Sequence, residues 1–314
     1  MRDDTRKKVG SIEVIVEGFE QADYICDSNI ATAIYLASHL RKPILVEGPP
    51  GVGKTELAIA ASAYFDIPLV RLQCYEGLDE SKALYEWKYG KQLLYTQILK
   101  EKLGDVLKGA EGLEQSIERL HQFGDSFFSE EFLDARPLLQ ALREENGAVL
   151  LIDEVDKSDQ EFEAFLLEVL SDYQITIPEI GTVGGDVPPL VVLTSNATRE
   201  MGDALRRRCL HLYIPFPEAD RERRIVQIRV PDISETLRNQ LVSFVQSLRH
   251  MDLKKLPAVS ETIDWARTLM LMHADQLDPE MVRNTLNVIL KFQDDVERVD
   301  TEVRAMVRTA REGR

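Results

Sequence analysis

Cysteine is scarce in this chain of 314 residues. Cys26, Cys74 and Cys209 stand far apart, with no C-x-x-C spacing and no histidine pair nearby. That argues against a zinc site and against a disulfide-held scaffold, and three reduced, buried thiols are expected. Long apolar runs are also missing: no stretch approaches the roughly eighteen residues that a membrane span requires. The opening MRDDTRKKVGS has no apolar core of a secretory signal. A cytoplasmic protein without membrane contact is therefore expected. Positive charge is in deficit as well. Lysine and arginine total 38 against 54 acidic residues, a net charge of −16. That balance disfavours nonspecific contact with nucleic acid or anionic lipid, leaving open a local basic channel created by assembly. Internal repeats and low-complexity tracts are absent too. Apolar residues are plentiful, at 44%, enough for one large domain or two modest ones.

The most informative stretch is PILVEGPPGVGKTEL, Pro43 to Leu57. The β-branched and apolar Ile44-Leu45-Val46 reads as a strand, a glycine-rich turn follows, and a helix-forming sequence then begins. Gly48, Gly53, Lys54 and Thr55 match G-x-x-x-x-G-K-[ST], the phosphate-binding loop. Glycines let successive backbone N–H groups curl around phosphate oxygens, and the following helix adds the positive end of its dipole. The nucleotide is expected along Gly48, Pro49, Pro50, Gly51, Val52, Gly53, Lys54, Thr55 and Glu56. Lys54 would reach the β- and γ-phosphates of ATP, and the Thr55 hydroxyl would ligate Mg²⁺.

A second strand pattern, Ala148 to Ile152, ends in Asp153-Glu154. Five apolar residues suit a strand buried on both faces of a parallel sheet, and ligands bind at the carboxyl ends of such strands. Asp153 is therefore expected to hold Mg²⁺ through water, and Glu154 to orient the attacking water. Leu190 to Leu193 reads as another buried strand, ending in Thr194-Ser195-Asn196. Asn196 is then either a turn residue or a hydrogen-bonding partner of the γ-phosphate or the water. Arg206, Arg207 and Arg208 precede the strand Leu210 to Ile214. They read either as a solvated helix end or as the source of an arginine that enters a neighbouring subunit's nucleotide site.

Elsewhere, IEVIV at Ile12 to Val16 has strand composition, and Asn29 to His39 has helical spacing. Residues 69–72 follow Pro68 as a strand. Residues 75–135 mix two helical patterns with Tyr85, Trp87, Tyr89 and Tyr95, either a packed helical hairpin or loops that grip a partner. Glu101 to Leu120 reads as a charged amphipathic helix, Pro137 starts another that Gly147 ends, and Gln160 to Ser171 forms a third. Residues 174–187 read as a hairpin. After Pro217 no buried β pattern remains. Stretches 218–230, 234–251, 260–274 and 278–312 are helical, separated by Pro231, Pro257 and Pro279. The reading is an α/β nucleotide-binding domain over residues 1–217, followed by a smaller all-α lid over 218–314.

In their order, the phosphate loop, Asp-Glu strand, Asn-ended strand, arginines and helical lid resemble the AAA+ ATPases. GPPGVGKTE and the preceding ATAIYLASHLRKPILVEG are similar to the MoxR group. RLQCYEGLDESKALYEW and LLIDEVDKSDQEFEAFLLEVLSDYQITIPEIG resemble its CoxD-type members, which are associated with maturation of molybdenum-containing carbon monoxide dehydrogenase and similar hydroxylases. The likeness spans roughly residues 20–270. It implies a P-loop core with a parallel 5-1-4-3-2 sheet, a pre-sensor hairpin at 174–187, and a helix-2 insertion within 75–135 that faces a ring pore. It makes Asn196 sensor 1 and Arg208 the arginine finger, with Arg207 the fallback. It also implies a homo-oligomeric ring, typically a hexamer, a von Willebrand A-domain partner and an apo-metalloenzyme client. One departure stands out: where relatives carry a sensor 2 arginine, SETIDWAR has Glu261, with Arg267 two turns later.

Three functions compete on these grounds. The leading one is an ATP-driven chaperone that remodels a metalloenzyme. The others are a nucleotide-gated binding scaffold with little turnover and a DNA-remodelling motor, the last disfavoured by charge.

Overall fold

The computed structural model describes residues 10–106, 130–178, 180–185 and 187–312. The first element corrects the sequence reading. Residues 12–16 are not a strand but the opening of helix α1, Ile12–Gln21. A five-residue window of β-branched residues suggested extended chain. The longer period decides otherwise, because Ile12, Ile15, Val16 and Phe19 share one face while Glu13, Glu17 and Glu20 turn outward. Ser11 caps the helix by accepting from the Val14 amide at 3.4 Å.

Helix α2 (Ser28–Leu40) follows, capped by Asp27. Strand β1 (Ile44–Glu47) leads through the glycine turn into α3 (Lys54–Phe65), and β2 is Leu69–Gln73. Beyond it lie a short α4 (Glu80–Ala83), β3 (Tyr85–Trp87) and α5 (Tyr89–Val106). The remainder of the stretch expected as a helix to Leu120, and with it one limb of the expected helical hairpin, falls outside the described residues. After that gap, β4 (Leu133–Ala135) pairs antiparallel with β3, joining Tyr85 to Ala135 and Trp87 to Leu133.

Helix α6 (Pro137–Arg143), β5 (Val149–Asp153) and α7 (Gln160–Asp172) come next. Strands β6 (Gln174–Ile177) and β7 (Gly181–Gly184) form the expected hairpin. Then follow β8 (Leu190–Ser195), α8 (Asp203–Arg208) and β9 (Leu210–Tyr213). The main sheet runs β2-β5-β8-β1-β9 with every neighbour parallel. Counting its five strands in chain order, that is the expected 5-1-4-3-2.

Strand alternation explains why the sheet is covered on both sides. Ile44, Val46, Val149, Leu151 and Val192 pack with α1, α2 and α3, whereas Leu45, Leu150, Ile152, Val191 and Leu193 pack with α6 and α7. All of these are essentially inaccessible to solvent.

The C-terminal region is helical: α9 (Ala219–Arg229), α10 (Glu235–Arg249), α11 (Val259–Leu271), α12 (Pro279–Ile289) and α13 (Gln293–Glu312). The single helical stretch expected over 278–312 is two helices, because Leu290 is extended and α13 restarts after it. These helices have their own apolar cluster, centred on Phe244 and Trp265, whose rings lie 5.3 Å apart. Within it Glu222 and Arg249 form a two-pronged ion pair at 2.7 Å, closed by Thr262 and Gln246. The Arg249 guanidinium also stacks on Phe216, 4.7 Å from the ring centre. No helix among the described residues is long and apolar enough to cross a membrane.

Candidate functional site

A cleft of about 530 Å³ opens where the carboxyl ends of the sheet strands meet α9, α11 and the turn Asp23–Ile25. Its floor is the glycine turn. Gly48 adopts φ +152°, and a Cβ there would meet the Ile214 carbonyl oxygen at 2.1 Å. Gly51, at φ +71°, is pressed against the start of α11, where a Cβ would lie 2.6 Å from the Ala258 Cβ and the Ser260 Oγ. The Ser260 amide donates to the Gly51 carbonyl at 3.3 Å. Gly53, at φ +99°, turns the chain into α3, whose N-terminus has no side-chain cap. Its first amides are thus left to an anion.

Lys54 is 6% exposed. Its ammonium donates to the carbonyls of Gly48 at 2.7 Å and Pro49 at 2.8 Å, and to Asn196 Oδ1 at 2.8 Å. Burial lowers its pKa, opposed by the charges of Asp156, Asp153 and Glu154. Thr55 Oγ1 donates to Asp153 Oδ1 at 3.1 Å. The same carboxylate accepts from Thr194 Oγ1 at 2.5 Å and from Arg71 Nη2 at 2.5 Å. Glu154 follows in a left-handed conformation, φ +55°, which non-glycine residues hold only when the surroundings impose it. Here its amide donates to Thr194 Oγ1 at 2.9 Å. Glu154 Oε2 accepts from Gln73 Nε2 at 2.8 Å and from Lys157 at 2.6 Å, and Asn196 Nδ2 lies 3.4 Å from Oε1.

The sequence-expected Lys54, Thr55, Asp153, Glu154 and Asn196 therefore converge. Pro50 through Glu56 line the cleft, while Gly48 and Pro49 meet Lys54 through their carbonyls. Glu56 is paired with Arg229 of α9. The arginines of α8 lie apart from the cleft. Arg206 Nη2 reaches Glu47 Oε2 at 2.9 Å, and His211 Nε2 lies 2.7 Å from the same oxygen. Arg207 faces Asp203 at 3.5 Å with 82% of its side chain exposed, and Arg208 is exposed. Glu261 does not face the cleft: it accepts from the Ala258 amide at 2.8 Å and from Lys255 at 2.9 Å, closing the N-terminus of α11. Arg267 does line the cleft, 3.5 Å from Asp264.

Sequence reasoning missed Arg71, Gln73, Arg221 and Arg229, all of which line the cleft or touch its groups. Arg71 and Gln73 had a faint signal, as the two polar members of an otherwise apolar strand, LVRLQ. The three thiols are buried or nearly so, and burial pushes each up to about 12, which leaves them inert. Among the described residues no group of three His, Cys, Asp or Glu side chains is placed to hold a metal unaided.

A family model described as an AAA domain of the dynein-related subfamily matches residues 43–209, more than half the chain. Uncharacterized proteins of Staphylococcus aureus, including those of strains bovine RF122 and USA300, are 27% identical over 251 residues. That alignment covers 78% of this chain and 81% of theirs. Among solved structures, the Thermotoga maritima RuvB Holliday junction branch migration motor is 16% identical with a TM-score of 0.45, over 88% of this chain and 71% of that one. A proline-to-glycine mutant of the same motor is 17% identical with a TM-score of 0.49, over 91% and 74%. Both scores lie under one half, too low to support an argument about activity.

Proposed function

The chain is a member of the AAA family, in its dynein-related subfamily, and from that premise we propose that it hydrolyses ATP between subunits of a ring to remodel a client protein. The observation that carries this reading is the convergence of Lys54, Thr55, Asp153, Glu154 and Asn196 at one sheet edge beside an uncapped helix N-terminus. The donor set suits a magnesium nucleotide, because a hydroxyl and a carboxylate stand 3.1 Å apart at the end of a turn whose Gly48 and Gly51 leave no room for a side chain. Bound Mg²⁺ would supply neutralisation of charge on the terminal phosphates.

In this reading Lys54 exchanges the Gly48 and Pro49 carbonyls for phosphate oxygens, and Gly48 to Glu56 wrap the phosphates. Thr55 and Asp153 hold Mg²⁺. Glu154 orients the attacking water, and Asn196 ties that carboxylate to Lys54. Arg208, or failing it Arg207, stands outside its own cleft and completes a neighbouring subunit's site. Residues 1–217 act as the nucleotide-binding domain and 218–314 as the lid, whose Arg221, Arg229 and Arg267 line the cleft. The assembly is a homo-oligomer, a hexameric ring of the MoxR type, acting in the cytoplasm. Its client is an apo-metalloenzyme of the molybdenum hydroxylase class, with a von Willebrand A-domain protein as partner. The support for this finer reading is the likeness of residues 71–87 and 173–180 to the CoxD-type ATPases.

Glu154→Gln is expected to bind ATP and hydrolyse it at least about a hundredfold more slowly, the range for losing a positioned base. Normal turnover in that variant would overturn the assignment. Arg208→Ala is expected to lose hydrolysis and keep ADP binding, and an active Arg208→Ala beside an inactive Arg207→Ala would move the finger one residue. Client capture on the ATP-trapped variant, followed by mass spectrometry, tests the metalloenzyme. Stimulation of hydrolysis by DNA would favour a DNA-remodelling motor instead, and client maturation by Glu154→Gln would favour a nucleotide-gated scaffold.

A further inference from the structure

The one ion pair to Asp153 among the described residues comes not from the phosphate loop but from Arg71 on β2. The Asp153 side chain is 5% exposed, and a carboxylate so placed needs a compensating charge. Lys54 does not supply it directly, since its ammonium is taken by two carbonyls and Asn196. Thr55 and Thr194 give only hydroxyl hydrogen bonds. Arg71 Nη2 gives the charge, at 2.5 Å from Oδ2. Unlike its partner, the Arg71 side chain is 53% exposed and opens onto the cleft, so it can leave without unpacking any core.

The same Nη2 donates to Gln73 Oε1 at 2.9 Å, and Gln73 Nε2 donates to Glu154 Oε2 at 2.8 Å. The register explains the alignment. Gln73 lies beside Asp153 across the β2–β5 pair, with Arg71 two residues earlier on the same strand face. One guanidinium thus touches the metal-side carboxylate and, through a single amide, the water-side carboxylate.

Resting on the reading of Asp153 as the metal carboxylate, we infer that Arg71 is the resident cation of Asp153, which a divalent metal must displace. Arg71 is then a positioning residue. Before the metal arrives it neutralises Asp153 and shares Gln73 with Glu154 as a hydrogen-bonding neighbour. Two cations cannot share the exposed side of one carboxylate without mutual repulsion. Seating the metal therefore expels the guanidinium, while Glu154 stays held by Gln73 and Lys157.

The test is Mn²⁺ binding followed by electron paramagnetic resonance at saturating ADP, in the full chain and in Arg71→Met and Arg71→Lys. Arg71→Met is expected to bind Mn²⁺ roughly fivefold more tightly, the effect of removing one half-exposed competing charge. It is also expected to melt lower than the parent without metal and to regain more of that loss when Mn²⁺ is added. Arg71→Lys retains the charge, so its Mn²⁺ affinity stays near the parent's and shows that the gain does not come from general loosening. Unchanged or weaker Mn²⁺ binding in a folded Arg71→Met would overturn the inference. So would a loss of metal-free ADP affinity at constant Mn²⁺ affinity, which would make Arg71 a phosphate ligand. Asp153→Asn separates the two layers: if it binds Mn²⁺ as well as the parent, the metal-carboxylate reading itself fails, whatever Arg71 does.

Discussion

Lys54 holds its charge against carbonyls of its own loop, in a place where burial already works against that charge. The arrangement is tolerable without ligand and favourable with one, because phosphate oxygens offer the ammonium an anion in place of neutral acceptors. Lys54→Ala is expected to lower ADP affinity by at least about tenfold, since hydrogen bonds to charged groups are each worth ~1.5–3 kcal/mol. Isothermal titration of both proteins checks it. Asp156 lies behind the site, where burial pushes its carboxyl up but donors from the Thr198 amide at 3.0 Å and hydroxyl at 2.6 Å outweigh it and leave the pKa lowered. A depressed carboxyl contributes stability that is present above the unfolded value, near 3.9, and lost as pH falls through the folded value. Asp156→Asn should therefore be less stable than the parent by about 1–3 kcal/mol at pH 7. The gap should close below about pH 4, as urea unfolding at the two pH values would show.

Elements were legible in the sequence to the degree that their pattern was plain from the first residues. The buried strands 44–47, 149–153 and 190–195 were readable from unbroken apolar runs, and the rule that ligands sit at strand carboxyl ends brought Asp153, Glu154 and Asn196 to the phosphate loop. Helix α1 was not, because its first five residues carry strand composition and its period emerges only by Phe19. Arg71 and Gln73 were missed for a different reason. Their place beside Asp153 and Glu154 is set by the pairing of β2 with β5, and register across a parallel sheet is written in neither strand alone. The contact of the glycine turn with α11 was likewise invisible, yet it is sharp enough to test. Gly51→Val puts a branched side chain at φ +71° and into atoms 2.6 Å away. It is expected to loosen α11 from the loop, raising amide exchange across 258–263 and weakening nucleotide binding, while the sheet strands keep their protection.

At the scale of the molecule, the helical region is fastened by a polar knot. Glu222 is wholly buried and Arg249 nearly so, and Thr262 Oγ1 and Gln246 Nε2 also donate to the Glu222 carboxylate. Gln246 also donates to the Pro217 carbonyl at 2.9 Å, and Arg249 stacks on Phe216, so the knot grips the chain at its exit from the sheet. Removing one partner strands the other's charge. Glu222→Ala is expected to cost about 3–5 kcal/mol, seen as a lower midpoint for C-terminal helix loss in denaturant. A Glu222→Gln variant that matched the parent would count against the charge being needed.

Glu47 carries a different consequence. It is the last residue of β1, and it clasps Arg206 and His211 with one oxygen. The next residue is Gly48. Whatever grips the exposed end of α8 therefore holds a short handle: a tug on that helix is transmitted through the Arg206–Glu47 pair and one peptide bond to the floor beneath the phosphates. The route is stiff because β1 is hydrogen-bonded on both edges, so force arriving from outside would be felt at the loop before the helices around it could yield.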